Sequence, residues 1–313
     1  MSHLGSLIQY LIHKKERLAN DRSAHLELQL RGRGGELSLD AARGVLPRGL
    51  TIEWLGTSGF MLNYEGTTLV IDPYLSRAPM REMLLMRPLA IDAERVDRYI
   101  RKTDIIIAGH THFDHAVDIP YLAARDDAEV FGSSSLHQLM KASGRESVIA
   151  EPHRVYERGP FRISLIPSLH SRLILGKAIP FDSEITCEHL EPMTAHRYGC
   201  GQTYGILIEV GGALFYHQGS CDLIDEEIRG KVDILLAGIA GRRFTENYLK
   251  RLLGRLEPKL IIPHHYDDFF EPIEAPLAFS LNVNLSSFIE EVRAVSDEPL
   301  IGTLEPLKAL TIS

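Results

Sequence analysis

Cysteine is scarce in this chain. Cys187, Cys200 and Cys221 are the only three in 313 residues. An odd, sparse, widely spaced set excludes a disulfide-built scaffold and fits a reducing, cytoplasmic compartment. Long apolar runs are missing too. The longest, over 233–240, has the length of a buried strand, far short of the roughly 18 residues of a membrane span. The first residues carry no basic stretch leading into an apolar core and a cleavage site, so no secretory leader is expected. Basic charge is in deficit: 34 Lys+Arg against 42 Asp+Glu leave −8 with neutral histidine. That balance opposes nonspecific phosphate contacts, so nucleic acid is not an expected partner. With 44% hydrophobic and 24% charged residues, the chain is not a disordered one. What it has in plenty is histidine, 14 in all, and their placement carries the information.

Residues 1–50 read differently from the rest. Leu4, Leu7, Ile8, Leu11 and Ile12 recur at helical spacing, followed by Lys14, Lys15 and Arg17. A short amphipathic helix docked on the domain or on a second copy explains this, and so does a membrane-surface helix. Residues 31–35 read as a flexible connector. The expected organisation is a helical extension and linker over 1–50, then one domain over 51–313.

From residue 51 the pattern turns to strands. Segments 51–55, 60–64 and 67–71, joined by tight turns, predict an antiparallel meander with one face buried. A helix over 93–102 precedes the apolar run 104–108, a strand buried on both faces. The second half repeats this order. Strands are expected at 161–166, 204–210 and 213–216, with Gly211-Gly212 as a two-residue hairpin turn. A strand over 233–237, a helix over 244–256, a strand over 259–262, a helix over 285–295 and a closing strand over 307–312 follow. Two strand-rich blocks alternating with helices predict two mixed sheets packed face to face with helices outside.

The decisive segment is Gly109-His110-Thr111-His112-Phe113-Asp114-His115, where the buried strand ends. Ligands gather at such strand ends in α/β folds. Extended chain puts residues i and i+2 on one side, so His110 and His112 can aim two imidazoles at one ion. Asp114 and His115 offer a second pair as the chain turns, with Asp118 expected to cap the following helix and Pro120 in its first turn. Imidazole and carboxylate suit zinc and similar divalent ions. From this chain's own residue frequencies, a chance match to the pattern is on the order of one in several hundred.

The pattern His-x-His-x-Asp-His after a hydrophobic strand resembles the first signature of the metallo-β-lactamase-fold hydrolases. Trp54-Leu55-Gly56-Thr57-Ser58-Gly59-Phe60 and Val70-Ile71-Asp72-Pro73 are similar to the branch holding ascorbate-6-phosphate lactonase-like enzymes and N-acylphosphatidylethanolamine phospholipase D. The resemblance covers residues 50–313. It implies a four-layer αβ/βα sandwich with one or two divalent ions, zinc by default and manganese or iron as alternatives. It implies a third histidine after a mid-chain strand, matched by His170. It implies a last histidine after a late strand, where register selects His265 over His264. It implies a bridging carboxylate, and here the chain departs: Ser220 stands where relatives carry aspartate, so Asp222, two residues on, is the expected bridge.

Beyond these ligands, Asp72 is expected to orient a ligand histidine through its other ring nitrogen, or to be a turn residue. His217 and His264 are expected near the site. The irregular stretch 172–203 reads as a pocket wall or lid, with His189 and His196 as substrate contacts or exposed histidines, and 78–87 as a second apolar wall, a core-packing segment or a partner contact. Arg242, Arg243, Lys250, Arg251 and Arg255 read as the solvated face of a helix. The expected function is a metal-dependent hydrolase of an ester, lactone or phosphodiester in a small or lipid-like substrate, with Asp114 assisting proton transfer. A mononuclear iron oxygenase on the same fold and a non-catalytic, metal-stabilised assembly subunit, using residues 1–50 as a docking arm, are the rivals.

Overall fold

The computed structural model describes residues 11–30, 42, 44–186, 193–274, 276–281 and 283–313. Residues 4–10, the connector 31–35, Cys187 and His189 lie outside the described residues.

The first complete helix among the described residues is α1 (Lys14–Glu27). Of the helix expected at residues 4–12, only Leu11 and Ile12 are described, and both are helical. Leu11 and Ile12 are exposed, and helix α1 carries almost no apolar stripe. Its buried residues are Asp21 and His25. Asp21 accepts from the N–H and hydroxyl of Ser286, and His25 Nδ1 lies 2.9 Å from the Tyr266 hydroxyl. Polar anchors hold this helix on its own domain, so hydrophobic periodicity could not reveal it.

The first sheet begins with β1 (Thr51–Gly56), β2 (Gly59–Tyr64) and β3 (Thr67–Ile71). Short helices α2 (Met80–Leu84) and α3 (Ala93–Tyr99) lead to β4 (Ile105–Ile107). Next come α4 (Phe113–Ala116), α5 (Ile119–Asp126), β5 (Glu129–Gly132), α6 (Ser134–Ala142) and β6 (Val148–Ile149). The second sheet begins with β7 (Tyr156–Arg158), β8 (Phe161–His170), β9 (Tyr204–Val210), β10 (Ala213–Gln218), β11 (Cys221–Leu223) and β12 (Ile234–Gly238). Then α7 (Tyr248–Leu256), β13 (Leu260–His264), α8 (Leu285–Arg293), β14 (Leu300–Ile301) and β15 (Leu310–Thr311) complete the chain.

The first sheet has the order β15-β1-β2-β3-β4-β5-β6; the second runs β11-β8-β9-β10-β12-β13-β14, with β7 paired to β8. Trp54, Phe60 and Ile107 of one sheet and Phe161, Ile206 and Phe215 of the other share a single buried cluster. That cluster is the seam between the sheets. Val70, Ile106 and Val130 point the other way, into a second cluster with the helix residues Val96, Leu122 and Leu136. Strands β1 and β3 are therefore buried on both faces, whereas β2 keeps the expected alternation, with Phe60 and Leu62 buried and Met61 and Asn63 only half-buried. The four-layer αβ/βα sandwich is as expected.

Local chemistry explains most elements. Gly211 and Gly212 sit at φ 57° and 81°, the left-handed pair that a two-residue hairpin needs. Helix α7 buries Leu249, Leu252, Leu253 and Leu256 at i, i+3, i+4 and i+7. It starts at Tyr248, with a 3₁₀ turn over Arg242–Phe244 before it. Arg242 corrects the expectation of a solvated basic face. It is buried, paired with Glu291 and donating to the carbonyls of Val283 and Asn284. No helix among the described residues is long and apolar enough to cross a membrane.

Candidate metal centre

Strand β4, parallel between β3 and β5, delivers residues 109–115 to the edge where both sheets end. Gly109 fixes the delivery. Its N–H donates to Asp72 Oδ1 at 2.8 Å, and its carbonyl accepts from Tyr204 N at 2.7 Å, so it is tied to both sheets. Any added Cβ would lie 3.2 Å from the Tyr204 carbonyl. The chain then turns into α4 directly after His112. Asp118 precedes α5 with Pro120 in its first turn, but its carboxylate makes no helix cap. It accepts instead from the N–H groups of Leu75 and Ser76 and the Ser76 hydroxyl, pinning the loop after β3.

Two trios of side chains converge: His110, His112 and His170, and Asp114, His115 and His265. Within each, the ligand atoms lie within 4.8 Å of one another, and all six residues are buried. His170 arrives from the end of β8 and His265 from just after β13. His265 adopts φ 61° and its N–H donates to the Thr57 carbonyl at 2.9 Å. A non-glycine residue held there is strained backbone at a functional position. Thr57 is itself held by Asp267, which also pairs with the buried Arg77 at 2.6 Å.

Hydrogen bonds set the imidazole tautomers. His112 Nε2 donates to the Pro180 carbonyl at 2.7 Å, leaving Nδ1 as the free lone pair. His170 Nδ1 donates to the Ser171 carbonyl at 2.8 Å, leaving Nε2 free. His115 Nδ1 donates to Asp72 Oδ2 at 2.8 Å, again leaving Nε2. The freed His112 Nδ1 faces His110 Nε2 at 3.0 Å, and His265 Nε2 lies 3.3 Å from Asp114 Oδ2. Burial pushes His112 down to about 4 and His170 down to about 3, and His110 is also held well below the ordinary histidine range. These rings are therefore neutral donors at pH 7. Burial works against the Asp114 carboxylate, but the facing His115 and His265 outweigh it and hold its pKa low. His110 Nε2 and His265 Nε2 can each donate across these short contacts, and a bound ion would take the place of the shared protons. The donor set fits divalent ions of the zinc class.

Asp72 is placed as expected, orienting His115. Asp222 is not, and this corrects the bridging assignment. Cys221 adopts φ 55°, and β11 turns back to pair with β8, Cys221 opposite His170. That reversal points Ser220 to the site, the Cys221 thiol inward to the Gly238 carbonyl, and Asp222 outward. The Asp222 carboxylate lies 3.3 Å from Arg251 instead. His217 and His264 are fully buried behind the site, stacked with ring centroids 4.8 Å apart, both against Ser58. Neither reaches the rim. The ring of His196 packs on Phe181 at 4.8 Å and is one shell removed from the trios.

A cavity of about 310 Å³ opens over the trios. Leu173, Pro180 and Phe181 line it from one segment, Met83 from α2, and Phe269 and Phe270 from beyond β13. The last two were not foreseen; an aromatic pair four residues after a ligand histidine was the available signal.

An αβ/βα sandwich carrying at its sheet edge one all-histidine trio and one His/Asp trio, each able to hold a metal ion, is a metallo-β-lactamase fold. Residues 51–265 match the family described as the beta-lactamase superfamily domain, and the chain belongs to that superfamily. It is 30% identical over 227 residues to a UPF0173 metal-dependent hydrolase of Carboxydothermus hydrogenoformans, covering 70% of this chain and 85% of that protein. Two solved structures share the fold. Igni18, a metallo hydrolase of Ignicoccus hospitalis, has TM-score 0.51 and 18% identity over 83% of this chain and 97% of its own. CmlA, a diiron β-hydroxylase of Streptomyces venezuelae, has TM-score 0.54 and 14% identity over 85% and 55%.

Proposed function

We propose that this protein is a metal-dependent hydrolase that cleaves an ester, lactone or phosphodiester bond at a centre of two divalent ions. The convergence of six buried donor atoms under an open cavity carries the reading. His110, His112 and His170 would hold one ion and Asp114, His115 and His265 the other, with zinc the default and manganese or iron alternatives. When bound, such ions bring the pKa of water toward neutrality and polarise the bond under attack. The chain's own residues do the rest. Backbone carbonyls of Pro180 and Ser171, and the Asp72 carboxylate, fix which nitrogen of each ring faces the site. Asp114, the one carboxylate among the six, faces the two other ligands of its trio through Oδ2, which leaves Oδ1 to relay a proton from water to the leaving group. Phe181 and Phe269 shield the ligand rings from bulk water.

Metal analysis by mass spectrometry, paired with turnover of esters, lactones and phosphodiesters after zinc or manganese loading, tests this. Two ions per chain and turnover that chelation abolishes are expected. No stoichiometric metal, even after reconstitution, would overturn it. An iron-only load with oxygen uptake would move the protein to the oxygenase class.

A further inference from the structure

The cavity above the trios has a one-sided chemistry. Besides the metal ligands, its walls are Met83, Phe113, Leu173, Phe181, Phe269 and Phe270, with Pro180, Gly219, Ser220 and Ala240 between them. Among the described residues, no lysine or arginine lines it. A polyanionic substrate therefore meets no side-chain counter-charge beyond the metal centre, whereas apolar surface meets apolar surface on three sides. Ser220 offers little polarity, because its hydroxyl donates to the Leu169 carbonyl and accepts from Gln218.

The walls pack against the second buried cluster on one side and stay open to the cavity on the other. Phe181, Phe269, Phe270, Met83 and Leu173 are all only half-buried. Two of them stand against ligand rings, Phe181 against His112 at 6.3 Å and Phe269 against His265 at 5.5 Å. Phe269 and Phe270 also pack on each other at 4.5 Å. Apolar character continues outward on the same two segments, where Leu84, Met86 and Leu175 are each at least 65% exposed. Exposed apolar side chains gathered around a cavity mark a binding surface more often than chance.

We propose that the substrate carries an apolar group, an alkyl chain or aryl ring, directly beside the scissile bond, and that this cavity seats it. At about 30 Å³ per water-sized group, 310 Å³ holds on the order of ten heavy atoms. This rests on the hydrolase reading above and narrows it to substrates with such a tail.

Two series on the zinc-loaded protein test it. In the first, p-nitrophenyl alkanoates from acetyl to octanoyl are compared for kcat/KM. The acyl C–O bond breaks, water's hydroxyl goes to the acyl carbon, and p-nitrophenol leaves with the remaining proton. In the second, alkyl hydroxamates of the same lengths are titrated for binding, which needs no turnover. Affinity and kcat/KM are expected to rise with chain length, by up to about fourfold per methylene, and to level off near eight carbons. Phe181→Ala and Phe270→Ala, verified to keep their zinc, are expected to flatten both slopes. A flat hydroxamate series overturns the proposal, and turnover of short polar esters alongside it leaves the hydrolase reading standing. A rising hydroxamate series that Phe270→Ala flattens supports the apolar site, and absence of all ester, lactone and phosphodiester turnover alongside it would sink the hydrolase reading alone.

Discussion

The two trios are held in different ways. His110, His112 and His170 form a neutral set, and two of its rings are oriented by backbone carbonyls of residues 180 and 171. Those carbonyls belong to the loop that also supplies Pro180 and Phe181 to the cavity wall. The other set contains Asp114, and its His115 is oriented by a buried carboxylate, Asp72, at the end of β3. The first trio is therefore coupled to the pocket wall. The second is coupled to the sheet and to its own charge. Losing a backbone acceptor requires moving a loop, but losing Asp72 or Asp114 requires one substitution.

Substitution in the charged trio should have the largest effect. Asp114→Asn keeps the shape but removes the only carboxylate among the six donors. Metal content at the second position and turnover should both fall, turnover by more than the 10–100-fold typical of losing an outer-shell partner. Asp72→Asn should fall within that 10–100-fold range, because His115 stays but its tautomer and orientation are no longer enforced. Mass spectrometry of bound metal, beside kcat/KM, separates the two. Equal losses for both variants would mean that Asp72 is itself a ligand, and the distinction between the trios would fail.

The neutral trio predicts a smaller effect, visible in the metal-free protein. His112 and His170 are held by burial at about 4 and about 3. In the unfolded chain they titrate near 6.5. Between those values the unfolded state binds more protons, so stability rises with pH there and is lost as pH falls from about 6.5 toward 4. Each histidine contributes at most about 1.4 kcal/mol per pH unit. Urea unfolding of the chelated protein at pH 7.5 and 5 should show this loss, and His112→Gln should shrink it. A pH-independent midpoint would show that these rings carry no such burden.

How much of this was legible in the sequence follows the same division. Residues 110–115 were legible because one short loop after one buried strand fixes four donors at once. His170 and His265 were legible only through the family resemblance, which asks for a histidine at the end of a mid-chain strand and another just after a late one. Helix α1 was not, since its buried contacts are Asp21 and His25 rather than an apolar stripe. The cavity walls were legible only in part, as the segments 78–87 and 172–203. Which side chains face the cavity depends on loop conformation, to which neither helical nor strand periodicity applies.

Asp222 is the sharpest case, and it carries the smallest expected effect. By sequence alone it was the nearest carboxylate to the place where a bridging ligand falls. One backbone angle decides otherwise: with Cys221 at φ 55°, the chain reverses and residues 220 and 222 no longer share a face as they would in an extended strand. The Asp222 carboxylate then sits beside Arg251, both side chains partly exposed. Such a pair is worth about 0–1 kcal/mol. Asp222→Asn should therefore cost little stability, keep the full metal load and leave kcat/KM within about twofold, since it touches no donor atom. Arg251 keeps its second partner, Asp225, at 2.6 Å, so the outer face should not open. If Asp222→Asn instead strips metal as Asp114→Asn does, then the turn between β10 and β11 must rearrange around the ion. The left-handed Cys221 would then be the hinge that swings Asp222 in.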